Sequence, residues 1–157
     1  MEHPGNFDFF QDYKNAAVIV AHPDDETIWC GGTILLHPEI NWTILSLTRK
    51  YDPDRAPKFF KALKIFNAKG FIADIDDSPD QKFLQIDEIQ STILANLNSK
   101  NFDAVITHNP KGEYQKHLRH QQTAHAVANL VKAKTINCRT LLNFAYKDCV
   151  PVKDADL

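Results

Sequence analysis

A histidine and three acidic residues stand together near the start of the chain, in the segment His22-Pro23-Asp24-Asp25-Glu26. They follow directly on the apolar run 16–21, so they lie where a buried strand is predicted to end and a helix to begin. Charged groups are costly to bury at such a place, whereas a divalent metal binds a cluster of imidazole and carboxylate groups well. The alternative is that Asp24 or Asp25 merely caps the following helix, since Asp is a preferred cap residue.

A second group of candidate ligands comes later in the chain, where His117 and His120 are spaced three apart at the predicted start of another helix. Together with His22 and Asp25, His120 provides two imidazoles and one carboxylate. This set suits zinc and leaves one coordination position for water. An open zinc site of this kind is catalytic in type.

Other residues beside these ligands can move protons. Asp24 is the candidate general base for a water whose pKa the zinc lowers to about 7. His117, as an imidazolium, can stabilise the oxyanion formed at a carbonyl or protonate a leaving amine, and the sequence leaves both roles open. His108, at the end of a predicted strand, is expected to line the pocket without binding metal.

The elements that must position these residues are indicated by short apolar runs that alternate with longer segments of helical period. The predicted strands cover 16–21, 43–48, 71–75, 103–107 and 141–145, and the predicted helices cover 26–37, 56–69, 83–98 and 120–133. This alternation predicts a Rossmann-like α/β three-layer sandwich with a mainly parallel sheet of about five strands.

Glycines mark two features of these elements. Gly70 is expected to cap the carboxyl end of the second helix. Gly31 and Gly32 fall within the first helix, where glycine is unfavourable. They predict either close packing of that helix or a break in it.

Ligands of such sheets bind outside the carboxyl ends of the strands, where the strand order reverses. With the order 3-2-1-4-5, strands one and four are neighbours at the reversal. The polar residues that follow the first four strands are then expected to face one crevice; they are the His22 cluster, Thr48-Arg49, Asp76-Asp77 and Thr107-His108-Asn109-Pro110.

Composition limits the class of protein. The 157 residues, 43% of them hydrophobic, fit a single domain over 1–157. The net charge of -2 offers no broad basic field, which argues against nucleic acid as a partner.

No apolar run approaches the roughly 20 residues that span a bilayer, and the start lacks a signal-peptide pattern, so we expect a cytoplasmic protein without a membrane span. Cys30, Cys138 and Cys149 are expected to be reduced thiols.

Two motifs resemble those of a known family, the zinc-dependent de-N-acetylases related to the lincomycin-biosynthesis protein LmbE and to the PIG-L enzymes of the glycosylphosphatidylinositol pathway. Ala21-His22-Pro23-Asp24-Asp25-Glu26 followed by Gly31-Gly32 is similar to the family's first signature. The segment Thr107-His108-Asn109-Pro110-Lys111-Gly112-Glu113-Tyr114 leading to His117 and His120 is similar to its second. The resemblance spans residues 16 to 130.

The resemblance implies a role for each matching residue. It implies a metal site of His22, Asp25 and His120 that holds Zn²⁺ or another divalent cation such as Fe²⁺. It makes Asp24 the general base and His117 the residue that assists the transition state. The substrate contacts that it implies are Arg55 and Asp77, with Arg49 and Asp76 as alternatives, together with His108 and Tyr114.

The expected reaction is removal of an N-acetyl group from an N-acetylglucosamine-type substrate with release of acetate. Two alternatives remain: a zinc hydrolase of another amide or ester, and a catalytically silent metal- or sugar-binding module. The chain departs from the family in two places. Gln115-Lys116 make the loop before His117 one residue longer than in many members. The chain also stops soon after the fifth strand, so the partner subunit of a homo-oligomer is a candidate for the missing pocket wall.

Overall fold

The sheet consists of five parallel strands in the order β3-β2-β1-β4-β5. The computed structural model describes residues 9–80, 82–114 and 116–146, so that Cys149 lies outside the described residues. Its elements are β1 (Asn15–Val20), α1 (Asp25–Leu36), β2 (Asn41–Ser46), α2 (Arg55–Phe66), β3 (Lys69–Ile72), α3 (Ile86–Asn96), β4 (Asn101–Thr107), α4 (Leu118–Lys132) and β5 (Asn137–Asn143). The predicted fold class and strand order are confirmed.

Helices cover both faces of this sheet, and alternate residues of β1 show how. Val18 and Val20 pack into a core with α1 and α2, whereas Ala17 and Ile19 pack into a second core with α3 and α4. All four side chains are fully buried. Burial on both faces explains why this strand reads as a continuous apolar run, since each buried Val or Ile contributes about 1.5–3 kcal/mol.

The edge strands differ most from their predicted bounds. β5 begins at Asn137 rather than 141, because its first residues are polar and partly exposed and so carry no apolar signal. β3 ends at Ile72, but the chain beyond it stays extended along β2: Ala73 N donates to Ser46 O at 2.8 Å, and Ile75 N donates to Leu47 O at 3.0 Å.

The predicted role of Gly70 as a helix cap is wrong. Helix α2 ends at Phe66, and Asn67 takes the left-handed conformation at φ 50° that closes it. Gly70 lies in β3 instead. A Cβ at Gly70 would lie 2.2 Å from Leu63 Cδ1, so glycine is required here by close packing of α2 on the strand.

The glycine pair of α1 does not break the helix, which runs without interruption from Asp25 to Leu36. Gly31 is buried, and a Cβ there would lie 3.4 Å from the Phe66 ring of α2. That distance is an ordinary van der Waals contact with α2, so the packing at Gly31 would not by itself exclude a methyl group.

Candidate active site

The carboxyl ends of the first four strands meet at one edge of the sheet. β1 is hydrogen-bonded to both β2 and β4, so the strand order reverses beside it, and His22 follows directly on its end. A cavity of about 430 Å³ opens at this edge. Its lining is His22, Asp24, Asp25, Ile28, Trp29, Arg49, Arg55, Asp77, Pro79, Glu113, Tyr114, His117 and His120. The groups predicted after β1, β2 and β3 contribute His22, Arg49 and Asp77 to this cavity. None of residues 107–110 at the end of β4 lines it, so the expected shared crevice is observed only in part.

Three of these side chains bring one atom each to a common point. His22 Nδ1 lies 3.1 Å from His120 Nε2 and 3.2 Å from Asp25 Oδ2, and His120 Nε2 lies 3.4 Å from Asp25 Oδ2. A tetrahedral ion with bonds of 2.0–2.1 Å separates its ligand atoms by about 3.3 Å. The spacing of the three atoms therefore fits zinc-sized coordination.

Hydrogen bonds on the far sides of the two rings determine which nitrogens carry protons. Asp77 Oδ1 lies 3.2 Å from His22 Nε2, and Glu113 Oε2 lies 2.7 Å from His120 Nδ1. An ionised carboxylate only accepts hydrogen bonds, so these ring nitrogens are the donors. His22 Nδ1 and His120 Nε2 then face Asp25 with lone pairs, and three facing acceptors require a cation between them.

The pKa values agree with this arrangement. Burial raises the pKa of Asp25, but the neighbouring imidazoles of His108, His120 and His22 outweigh it and hold the pKa below its ordinary value. Burial lowers the pKa of His120, yet its hydrogen bonds to Asp25 and Glu113 dominate and raise the pKa to about 9. Without a metal, a proton on His120 therefore provides the positive charge that the acceptors need.

Two alternative groupings of metal-binding side chains share His120, one with His22 and His117, the other with Asp25 and His108. His108 is unsuited to bind a metal. Its Nε2 accepts the Ala21 N–H at 2.9 Å, and its Nδ1 donates to Glu113 Oε1 at 3.0 Å. Both ring nitrogens are used. The side chain is fully buried beneath the site and does not line the cavity.

Asp24 occupies the N-cap position of α1, but its side chain makes no capping hydrogen bond. Its Oδ2 accepts a 2.6 Å hydrogen bond from Arg55 Nη1 instead. Among the described residues, Oδ1 accepts no hydrogen bond. The backbone at Asp24 is strained, with φ at 153°, a conformation that side-chain-bearing residues rarely adopt. Asp25 is not a cap either, since its Oδ2 accepts the His22 N–H at 2.8 Å.

His117 stands at the N-terminus of α4 with its ring centroid 4.7 Å from the rings of both His22 and His120. Within the described part of the chain, its buried Nδ1 has no hydrogen-bond partner. Burial lowers the pKa of His117, and the neighbouring His22 and His120 lower it further. The ring therefore favours the neutral form, unlike the imidazolium expected from the sequence.

Glu113 is a site residue that the sequence reasoning did not assign. Its two oxygens join His108 and His120, and Oε1 also accepts the Asn109 N–H at 3.0 Å. Burial raises the pKa of Glu113, but the hydrogen bonds from the two histidines outweigh it, so the carboxylate is ionised. Gly112, at φ 87°, makes the turn that returns Glu113 to His108. In the sequence, the glycine directly before this acidic residue was the feature from which a turn and a role for Glu113 could have been predicted.

The competing arginine and aspartate candidates occupy different places. Asp77 Oδ2 accepts hydrogen bonds from Arg49 Nε at 3.0 Å and Nη2 at 2.7 Å, while its Oδ1 holds His22. The Asp76 carboxylate is half exposed and accepts from Ser78. Arg49 and Arg55 both line the cavity, whereas Asp76 does not.

The cavity lining also includes aromatic side chains. Trp29 stacks on Phe144 with 6.0 Å between ring centroids and an interplanar angle of 20°. Tyr114 is 61% exposed, and its ring lies 5.8 Å from that of Tyr146. The lining thus combines two arginines, two aromatic side chains and the histidines.

Beyond the site, no helix in the described ranges combines the length and the apolar character needed to cross a bilayer.

Comparison with solved structures identifies proteins of the same fold. N,N'-diacetylchitobiose deacetylase from Pyrococcus horikoshii matches with a TM-score of 0.64 at 20% identity, covering 78% of this chain and 51% of that one. GalB, the 4-carboxy-2-hydroxymuconate hydratase from Pseudomonas putida, matches with a TM-score of 0.56 at 20% identity, covering 74% of this chain and 55% of that one. The conserved protein TT1542 from Thermus thermophilus matches with a TM-score of 0.60 at 17% identity, covering 87% of this chain and 68% of that one.

The chain therefore spans about half the length of the first two of these proteins. A search of curated proteins found no match. A family model described as "PIG-L: GlcNAc-PI de-N-acetylase" matches residues 17–131, which include every residue that lines the cavity. This match covers most of the sequence and both motifs, and on that basis the chain belongs to the PIG-L family.

Proposed function

We propose that this protein is a zinc-dependent hydrolase that removes the N-acetyl group from an N-acetylglucosamine-type substrate and releases acetate. The observation that carries the proposal is the convergence of His22 Nδ1, Asp25 Oδ2 and His120 Nε2 to 3.1–3.4 Å from one another. The three residues line a cavity that Asp24 and His117 also line. Membership of the PIG-L family supports deacetylation as the reaction.

His22, Asp25 and His120 are the residues that would hold the metal. Two nitrogens and one carboxylate oxygen suit Zn²⁺, and Fe²⁺ is the main alternative for the same set. When bound, the ion supplies a Lewis acid that lowers the pKa of a water to about 7 and polarises the amide carbonyl.

Asp24 is the proposed general base. Its Oδ1 is available to accept a proton from the attacking water, while the hydrogen bond from Arg55 holds the other oxygen. A base held in this orientation takes the proton without first having to reorganise. The same carboxylic acid can then deliver the proton to the leaving amine.

His117 is proposed to stabilise the oxyanion. Because its pKa is lowered, it acts as a neutral hydrogen-bond donor to the carbonyl oxygen as negative charge develops there. Its ring is close to those of both proposed histidine ligands, so it reaches the same reaction centre. This role does not require the imidazolium expected from the sequence.

The shape and chemistry of the cavity support a sugar as substrate. A pyranose has apolar C–H faces and hydroxyl edges. Trp29 and Tyr114 offer surfaces for the faces, and Arg55 offers hydrogen bonds for the edges. Asp77 is already bonded to His22 and Arg49, so its main proposed role is to orient His22. His108, buried beneath the site, is proposed to position Glu113 rather than to contact substrate.

Two alternatives make different predictions. A hydrolase of another amide or ester would use the same metal and base but reject N-acetylated sugars. A silent binding module would bind metal or sugar without turnover. The likeness to a hydratase shows that this fold is found in proteins named for different reactions, so the fold does not choose between them.

Acetate release tests the proposal directly. The metal-free chain would be reloaded with Zn²⁺ or Fe²⁺ and incubated with N-acetylglucosamine, N,N'-diacetylchitobiose and N-acetylglucosaminides with apolar aglycones. Acetate and free amine should appear in equal amounts, only with metal, and not with Asp24→Asn. Hydrolysis of simple aryl esters without release from any N-acetylated sugar would favour the first alternative. Metal binding without any turnover would favour the second.

A further inference from the structure

Arg119 is the most deeply buried charged side chain near the site, with none of its surface exposed, although it does not line the cavity. It lies in the first turn of α4, directly before His120. A guanidinium is costly to bury unless its donors are used, so its partners show what this charge does.

Those partners lie on the connection between β3 and α3. Arg119 Nε donates to the backbone oxygen of Asp76 at 2.6 Å. Nη2 has no hydrogen-bond partner among the described residues and lies 3.5 Å from Asp76 Oδ2 as an ion pair. Nη1 donates to Gln122 Oε1 at 2.6 Å, and Gln122 Nε2 donates to Leu84 O at 2.6 Å. The first turn of α4 therefore holds the connection at two points.

The next residue along the chain from the held carbonyl is Asp77, whose Oδ1 accepts from His22 Nε2. A continuous path thus runs from Arg119 through the Asp76 backbone to the Asp77 carboxylate and the His22 ring. The other proposed histidine ligand, His120, is next to Arg119 on the same helix. Arg119 therefore fixes the position of one proposed ligand relative to the other.

We infer that Arg119 is a positioning residue for the metal site, acting on His22 through Asp76 and Asp77. The inference rests on the proposed metal site. This role differs from a general role in packing, because the effect of Arg119 on metal binding must pass through the Asp77 carboxylate. A loss caused by general damage to the fold would not depend on Asp77.

The test is a double-mutant cycle with metal affinity as the readout. Dissociation constants for Zn²⁺ would be measured by chelator competition for the native chain, Arg119→Lys, Asp77→Ala and the double variant. Lysine keeps the charge but loses the planar set of donors. Removing a group that orients a metal ligand typically costs about 10–100-fold in affinity. Arg119→Lys should weaken Zn²⁺ binding about tenfold in the native background. In the Asp77→Ala background it should cause no further loss of affinity.

A spectroscopic signature accompanies the affinity. The visible bands of bound Co²⁺ report the geometry of its ligands, so Arg119→Lys should shift them in the same direction as Asp77→Ala. The matched control is Arg139→Lys, since Arg139 is an exposed arginine in β5 that pairs with Asp103 far from the cavity. This control should bind Zn²⁺ as the native chain does.

A second variant removes the buried charge altogether. Arg119→Met keeps an unbranched side chain with no charge to bury, so it should fold, and it loses the donor to Asp76 O. It should weaken Zn²⁺ binding about tenfold, and only when Asp77 is present. This variant decides the question if Arg119→Lys does not fold.

The outcomes separate the two proposals. Native affinity in Arg119→Lys, or in Arg119→Met if the former is unfolded, overturns the positioning role and leaves the metal site intact. Equal losses in both Asp77 backgrounds also overturn it, because the effect would then be general. A native chain that binds neither Zn²⁺ nor Co²⁺ overturns the proposed function together with this inference.

Discussion

Glu113 Oε2 accepts a 2.7 Å hydrogen bond from His120 Nδ1, and this bond directs His120 Nε2 towards Asp25. The two residues are seven apart in sequence, and Glu113 also turns back to the residues that follow β4. The other oxygen of Glu113 is held by His108 and by the Asn109 N–H. The carboxylate is therefore held on one side by His108 and Asn109, and on the other it orients the proposed ligand His120.

Glu113→Gln should weaken Zn²⁺ binding about 10–100-fold, because the amide is a poorer acceptor and no longer favours one protonation state of His120. Chelator competition measures the change. Glu39→Gln is the matched control, since the Glu39 side chain is half exposed and its partner is His37. Native affinity in Glu113→Gln would show that this hydrogen bond does not tune the site.

Asp24→Asn should keep the metal and lose turnover. The amide cannot take a proton, and general base catalysis is typically worth about 10²–10⁴-fold in rate. Metal content by mass spectrometry and kcat for acetate release measure the two properties on the same sample. Asp54→Asn, a change at an exposed carboxylate paired with Lys58 near the start of α2, is the control. Turnover near the native rate in Asp24→Asn would remove Asp24 from the mechanism.

Metal binding should release a proton near neutral pH. The pKa of His120 in the metal-free protein is raised to about 9, so the ring is charged at pH 7.5, and a metal must displace that proton. The raised pKa stabilises the metal-free fold most below the unfolded value of about 6.5, and this contribution is lost as pH rises through about 9. Apparent metal affinity should therefore rise with pH up to about 9.

Calorimetry in buffers of different ionisation enthalpy counts the protons released on binding. The number of protons released should fall as pH rises from 7.5 to about 10, because His120 is then already neutral before the metal binds. The proton released by a metal-bound water with a pKa of about 7 persists. Binding heats that do not depend on the buffer would contradict the assigned charge of His120.

Two glycines should respond in opposite ways to alanine. Gly70→Ala should lower the free energy of unfolding by about 1–3 kcal/mol, because its Cβ would meet the Leu63 side chain at 2.2 Å. Gly32→Ala should raise it by about 0.5–1 kcal/mol, because a Cβ there meets nothing within 4 Å and alanine is the better helix former. Urea unfolding of both variants gives the comparison. Equal effects of the two changes would contradict the packing described for Gly70.

The parts of the fold that the sequence predicted well are those with strong local signals. β1 and β4 lie in the interior of the sheet and are buried on both faces, so their continuous apolar runs predicted both strands. β5 and β3 lie at the edges, where exposed residues dilute the pattern, and their bounds were wrong by several residues. The Gly70 prediction failed for a related reason: glycine after a helix has two explanations, and only the position of Leu63 chooses between them.

The chain's own sequence determined the alternation of strands and helices, the order of the motifs and the identity of the residues with ligand chemistry. These follow from local periodicity and from side-chain type. Only the tertiary structure decided which nitrogen of each histidine faces the common point, because that depends on Asp77 and Glu113. It also decided that His108 supports the site from beneath and that Arg119 holds the Asp76 backbone. These relationships join elements distant in sequence, and the packing of helices on the sheet is what brings them within hydrogen-bond distance.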